Sequence, residues 1–389
     1  MTIFEMFQRE NIYEIIEKTM PFYYKKVFGK DVSVHIKKGS FFKKLLIYPR
    51  LGIIIPLFPS KKVRREVYSW FNVQHNWIKN VLAKLYIFIC FITFGIFASA
   101  SMTLSDNTLY NKNTLIIPSN RKIRIYYFDK KYVDSVVKNG FNDQYFKNEV
   151  FVRERYKYPF ILGFLDKGDK WYREKILIGK GLVRVSSPHY EKYLNDTLAN
   201  LQILYRDNKK TIIAKDYFIQ LTRSINSNLS IVKEKKSIQC EKRLKEIIDY
   251  CSRYLKDSNE LIDLVLSHGD LQSGNIHIDE ENKMAYIIDW ETANYKSIWY
   301  DSGTLLCSTR RKGKFFKMIN SRFEVETKNR LLFFDSNKCR DMNIVVSVLL
   351  LEELSFYLDE MAGFPDNIGS EVIDRFIYEI NNVNWESFK

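Results

Sequence analysis

LSHGDLQSGNIHIDEENKMAYIIDW, running from Leu266 to Trp290, is the stretch around which the rest of the chain is arranged. Two short apolar runs, Leu261 to Leu266 and Ala285 to Ile288, have strand character, and turn-forming residues bound them. Each hands a carboxylate to the segment that follows it, Asp270 after the first and Asp289 after the second. Asn275 stands between them, five residues after Asp270, where Gly269 and Gly274 permit tight backbone turns. An acid, an amide and a second acid are therefore expected to converge.

That set suits the transfer of a phosphoryl group from a nucleotide. One carboxylate orients the attacking hydroxyl and takes its proton, while a second carboxylate and an amide oxygen hold the magnesium ions that neutralise the phosphates. The spacing from Asp270 to Asn275 fits a kinase catalytic loop, and Asp289 stands where the metal-binding acid would be. His-Gly-Asp alone is short enough to arise by chance, and buried Asp or Asn at strand ends often only caps a turn. The complete strand, loop and strand arrangement is much harder to obtain that way.

Through His268, Gly269, Asp270, Leu271 and Asn275, followed by Ile288, Asp289, Trp290 and Glu291, the chain resembles the aminoglycoside phosphotransferase and choline kinase superfamily. Protein kinases place Arg after the His and Gly at the position of Glu291, so Gly269 and Glu291 favour the small-molecule branch. The resemblance implies an α+β, two-lobe, protein-kinase-like fold: a small antiparallel-sheet N-lobe, a mainly helical C-lobe, and here an extra N-terminal region. It implies ATP as co-substrate and Mg2+ as cofactor, with Asp270 catalytic and Asn275 and Asp289 on the metal. Asp301, in SIWYDSGTLL, matches a further family Asp that opens a helix and braces the catalytic loop. His268 is expected to hydrogen-bond the loop backbone rather than to move protons.

Upstream, KIRIYYFD (122–129) and YVDSVVKNG (132–140) read as strands, and DQYFKNEVFVRERY reads as a helix. By resemblance Lys138 meets the nucleotide phosphates and Glu149 holds that lysine, with Lys122, Lys130 and Lys131 as rival bases and Glu154 as rival acid. No Gly-rich phosphate loop precedes these strands; PSNRK (118–122) is the nearest turn. A hairpin turning at Lys167 to Asp169 leads to a strand that the resemblance makes the hinge, where Lys175, Ile176, Leu177 and Ile178 would meet the adenine. From His189 onward the periodicity is helical, in HYEKYLNDTLANLQILY, NKKTIIAKDYFIQLTRS, RLKEIIDYCSRYL, VVSVLLLEELSFYLDEM and VIDRFIYEI. Glu352, Glu353 and Asp359 are acidic candidates for a polyhydroxyl or amine acceptor, although such charges on an amphipathic helix ordinarily face solvent.

Three regions follow: a basic N-terminal accessory region at 1–104, a kinase-like N-lobe at 105–178, and a helical C-lobe at 179–389. The net charge is +15, and residues 1–84, with 16 Lys or Arg against 6 Asp or Glu, carry +10 of it. That excess fits peripheral contact with anionic lipid, a phosphorylated glycolipid, or no ligand at all. Nucleic acid is not expected, since no helix-turn-helix, zinc finger or aromatic RNA-binding signature is present. The five cysteines, Cys90, Cys240, Cys251, Cys307 and Cys339, form no CxxC pair, and a reducing cytoplasm is the expected compartment, free or at the inner face of a membrane.

Leu85 to Leu104, LYIFICFITFGIFASASMTL, has no charged residue. A buried helix, an interfacial or re-entrant segment and a membrane span all fit its composition. The positive-inside rule opposes the span, since it would place the basic first 84 residues outside. Gly95, Ala98 and Ser99 would permit close helix packing. The whole pattern predicts ATP- and Mg-dependent phosphorylation of a hydroxyl on a small molecule or glycan, such as a cell-surface polysaccharide or lipid-linked precursor. The alternative is a catalytically weak nucleotide-binding scaffold or sensor at a membrane surface.

Overall fold

Every residue of Leu45–Tyr48 and of Ile53–Pro56 is buried in the computed structural model, which describes residues 10–39, 44–70, 77–93, 95–235, 241–306, 341–363 and 378. Strand side chains alternate between faces, so unbroken burial means a sheet covered on both sides. Leu45, Ile47 and Ile54 enter one apolar cluster, while Leu46, Tyr48, Ile53 and Ile55 enter another.

The chain divides into two units, Met1–Phe146 with Gly163–Ile178, and Lys147–Leu162 with Gly179–Lys389. The first contains α1 (Ile12–Phe28), β1 (Val34–Lys38), β2 (Leu45–Tyr48), β3 (Ile53–Pro56), α2 (Lys61–Trp70), α3 (Trp77–Ile92), β4 (Ala100–Leu104), β5 (Thr114–Pro118), β6 (Lys122–Tyr127) and β7 (Tyr132–Val137). Helix α4 (Gln144–Arg155) then begins there and continues into the second unit, and β8 (Asp166–Gly168) and β9 (Trp171–Lys175) complete the first. Its strands form one antiparallel sheet in the order β1-β4-β2-β3-β5-β6-β7-β9-β8.

Helix α1 covers one face of that sheet with Ile12, Ile16, Met20 and Tyr23. Burying each such side chain is worth roughly 1.5–3 kcal/mol before entropy is counted. Asp134, buried on β7, accepts from Tyr23 Oη at 2.6 Å and from Arg173 Nε and Nη2 at 2.8 and 2.9 Å, which fastens the helix to the sheet. On the other face α2 contributes Val63 and Val67, and α3 contributes Ile87 and Cys90.

Two sequence expectations need correction here. Residues 1–104 are not a separate accessory region, because β1 to β4 supply four strands of the same sheet that holds β5 to β9. The segment from Leu85 to Leu104 is not one helix either: α3 stops at Ile92, a turn follows, and β4 starts at Ala100. Gly95 lies in that turn with φ 95°, and a Cβ there would come within 2.9 Å of Leu46 Cδ1. The buried-helix reading fails because much of α3 is exposed. Among the described residues no helix is long and apolar enough to cross a membrane.

The second unit holds β10 (Gly179–Gly181), α5 (Ser187–Asp207), β11 (Lys210–Ile213), α6 (Ala214–Lys235), α7 (Glu241–Leu255), β12 (Leu261–Ser267), β13 (Ile276–Asp279), β14 (Met284–Ile287), β15 (Asn294–Ser297), α8 (Tyr300–Leu306) and α9 (Met342–Gly363). Two short antiparallel sheets, β10-β13-β14 and β11-β12-β15, sit among these helices. The expected helix at NKKTIIAKDYF begins instead with β11, where Thr211, Ile212 and Ile213 favour extended backbone. VIDRFIYEI falls outside the described residues apart from position 378. The α+β division is thus an antiparallel sheet in the first unit and a mainly helical second unit, as a kinase-like fold requires.

Glu352 and Glu353 are buried rather than solvent-facing, while Asp359 is exposed. Glu352 Oε1 accepts from Tyr217 Oη and Ser297 N, and its Oε2 accepts from Ser297 Oγ at 2.7 Å. Tyr300 Oη donates to Glu353 Oε2 at 2.9 Å. These acids tie α9 to β15, α6 and α8. Burial raises the Glu352 carboxyl above the usual carboxylate range, against the attraction of Lys296. The stability this gives is present below the ordinary carboxylate pKa and is lost as pH rises through the raised folded value. Glu352→Gln is expected to flatten that part of the pH dependence, which urea unfolding of both proteins from acidic to neutral pH measures.

Candidate active site

β12 is apolar and, beyond Leu261, buried throughout because β11 and β15 flank it and helices cover it. It delivers Ser267, His268 and Gly269 into the interior, and the chain emerges at half-buried Asp270. Gly269 has φ 82°, and a Cβ there would lie 2.2 Å from the Thr292 carbonyl oxygen. Gly274, by contrast, has open space where a Cβ would stand, so the turn does not depend on it. Gly269→Ala is expected to cost about 1–3 kcal/mol and to displace Asp270, to be read as a lower denaturant midpoint.

The loop is braced from below by Asp301 at the start of α8. Its carboxylate, fully buried, accepts from Ser267 Oγ at 2.8 Å, His268 N at 2.7 Å, Gly269 N at 3.1 Å and Tyr205 Oη at 2.9 Å. Burial and then the Asp301 charge push the Tyr205 hydroxyl far above its ordinary pKa, so it remains a donor. His268 lies against the Trp290 ring, with centroids 4.8 Å apart, and its Nε2 is 2.9 Å from the Ile288 carbonyl oxygen. Its role is to join the two strand ends.

Asn275 makes the second join. Its Nδ2 donates to the Asp270 carbonyl oxygen at 2.8 Å, and its own carbonyl accepts from Ile288 N at 2.9 Å. With Nδ2 used this way, Oδ1 is the side-chain atom suited to a cation. Gln272 Nε2 donates to Asp270 Oδ1 at 2.8 Å and fixes the rotation of that carboxylate. Asp289 follows directly on Ile288 in the left-handed region, φ 70° and ψ 54°, a conformation Asp tolerates better than most residues but still at some cost. Asn275 thus links the backbone of the Asp270 loop to that of Ile288, the residue before Asp289.

Glu149, Asp289 and Glu291 have carboxylate oxygens within 4.8 Å of one another. Three carboxylates are hard oxygen donors of the kind magnesium takes. The place of Glu291 in this acidic group went unread in the sequence, although it stands where protein kinases have Gly. Arg153 was also missed: its Nη1 is 3.1 Å from Glu149 Oε1, and its Nε donates to the Leu162 carbonyl at 2.7 Å. The Glu-to-Arg spacing of four on a helix was the available signal.

In the first unit Lys138 comes just after β7, where the strand ends one residue earlier than expected. It is buried, and its Nζ donates to Glu10 Oε1 and to the Asn120 carbonyl at 3.2 Å. Asn120 and Arg121 form the β5–β6 turn within PSNRK, and Arg121 stacks on the Tyr145 ring at 3.7 Å. Of the rivals, Lys130, Lys131 and Glu154 are exposed, and Lys122 is buried with its Nζ 3.5 Å from Tyr172 Oη. Lys175 closes β9, Ile176 N donates to the Lys131 carbonyl at 3.1 Å, and Ile178 is the last residue of the unit.

A model of the phosphotransferase enzyme family matches residues 186–332, which contain the Asp270 loop, Asp289 and Asp301. The superfamily resemblance carried by the His268 and Asp289 motifs accords with it, as does the reading of the chain as a kinase with an alcohol group as acceptor. Among curated proteins none matches. Solved structures that resemble the chain include an ethanolamine kinase from Plasmodium vivax, 12% identical over 83% of this chain and 94% of that one, with a TM-score of 0.45. A choline kinase from Streptococcus pneumoniae is 12% identical over 70% and 89%, with a TM-score of 0.44. An ADP-bound aminoglycoside phosphotransferase is 16% identical over 70% and 93%, with a TM-score of 0.42.

Proposed function

We propose that the protein transfers the terminal phosphoryl group of ATP, with Mg2+, to a hydroxyl of a small molecule or glycan. The observation that carries this reading is the pair of backbone joins through Asn275, which tie the Asp270 loop to the Asp289 turn. Asp270 orients the acceptor hydroxyl and receives its proton, with Gln272 holding the carboxylate in one rotamer. Asn275 and Asp289 hold magnesium, joined by Glu149 and Glu291. Magnesium, when bound, neutralises phosphate charge as the transfer proceeds. Lys138 meets the phosphates, with the Asn120–Arg121 turn in place of a Gly-rich loop, and backbone groups of Lys175, Ile176, Leu177 and Ile178 meet the adenine.

Most of the rate enhancement comes from holding these groups before the reaction rather than from covalent chemistry. Amino alcohols and aminoglycosides, named for the similar structures, are the first acceptors to try. The basic N-terminal sequence adds surface-polysaccharide and lipid-linked precursors. Label transfer from γ-labelled ATP into these classes, with and without Mg2+, tests the reading. Magnesium-dependent labelling, or slow ATP hydrolysis without acceptor, supports it; the absence of both overturns it.

A further inference from the structure

Helix α3 turns one apolar face to solvent. Ile78, Val81, Leu82, Leu85, Phe88 and Ile92 are each between 50% and 59% exposed, and Trp77, at the first turn, is 74% exposed. At 100° per residue these positions fill an arc of roughly 140°. Ile96 and Phe97 extend the exposed patch into the turn before β4. The opposite side of α3 is occupied, since Ile87 and Cys90 are buried against the sheet. The helix is therefore held in place with its apolar face outward, and contiguous exposure on this scale marks an interaction surface.

The surroundings of that face are cationic. The helix carries no acid, and Lys84 is exposed on it. Helix α2 packs beside it, with the Tyr68 and Phe91 rings 5.8 Å apart, and exposes Lys61, Arg64 and Arg65. Arg50, on the β2–β3 turn, lines a pocket of about 260 Å³ with Leu51 and with Ala83 and Tyr86 of α3. An apolar stripe beside guanidinium and ammonium groups matches the acyl and headgroup layers of an anionic bilayer.

We propose that α3 docks the protein on an anionic membrane, lying in the interface with its apolar face in the acyl region and with Arg50, Arg64 and Arg65 at the lipid phosphates. Its 16 residues reach about 24 Å, less than a hydrocarbon core of about 30 Å, so the helix lies along the surface rather than across it. A second copy is the poorer occupant, because a two-fold contact on this face brings each copy's basic groups toward the other's. The inference rests on the proposed function only in giving a membrane-borne acceptor a reason to be reached; the docking itself needs neither nucleotide nor acceptor.

Co-sedimentation of the full chain with vesicles of phosphatidylcholine, with or without phosphatidylglycerol, tests this without nucleotide. The expected result is preferential partition onto the phosphatidylglycerol vesicles, lowered about tenfold or more by the combined L82S, L85S and F88S changes. R64E with R65E should lower partition and remove most of its salt dependence. Quenching of Trp77 by brominated lipid, absent in W77F, reports insertion directly. Unchanged circular dichroism is required of each variant, and the exposed positions chosen favour it. Partition that is absent or indifferent to the α3 changes overturns the proposal, as does a vesicle-free dimer that those same changes dissociate. Vesicle binding with neither label transfer nor ATP hydrolysis leaves docking standing and removes the kinase reading; transfer without vesicle binding does the reverse.

Discussion

Asp289→Ala is expected to lower label transfer from ATP by about a thousandfold or more, since the remaining groups cannot neutralise the phosphates alone. The loss should at least equal that of Asp270→Ala, because positioning and charge neutralisation supply more of the rate than proton removal. Asp289 also occupies a left-handed backbone position, so alanine adds strain that has nothing to do with chemistry. Asp289→Asn separates the two effects: asparagine accepts that backbone but brings no charge. Both variants should fall to similar rates while Asp289→Asn keeps the parent's denaturant midpoint. Unaltered turnover in Asp289→Asn would remove the metal role assigned to this residue.

The second large effect is on stability. Asp301→Ala is expected to cost about 3–5 kcal/mol, because it strips the acceptor from the backbone N–H groups of His268 and Gly269 and from the hydroxyls of Ser267 and Tyr205. Against a typical total of roughly 5–15 kcal/mol, such a loss should be plain in urea unfolding. Asp301→Asn keeps an acceptor oxygen and should cost less. Its turnover should still fall, since the Asp270 loop is held through those same two N–H groups. Equal midpoints for Asp301→Ala and the parent protein would mean that the loop is supported from elsewhere.

The strands at Leu261–Ser267 and Met284–Ile287 were legible as short apolar runs, each leading to an Asp, whereas β13 between them was not. Helices α5, α7 and α9 were legible for a similar reason, their apolar positions repeating at helical spacing. Strands β1 to β4 were not. A sheet covered on both faces loses its alternation, so LLIY and IIIP look like any apolar run, and Pro49 and Pro56 suggest interruption rather than a hairpin. The burial of Glu352 and Glu353 was hidden as well, since their partners Tyr217, Ser297 and Tyr300 lie far off in sequence. Glu149 and Glu291 join Asp289 only through the fold, and no local pattern announces that three acids will share one place.

The position of β4 has a consequence for how the chain can be divided. Because β4 lies between β1 and β2, and β3 is hydrogen-bonded to β5, residues up to 104 are interleaved rather than appended. A polypeptide starting at residue 105 would lack that partner for β5 and would bare the apolar faces that α1, α2 and α3 now shield. Such a fragment should precipitate instead of yielding a minimal catalyst, since an unpaired strand edge beside uncovered apolar surface invites association between molecules.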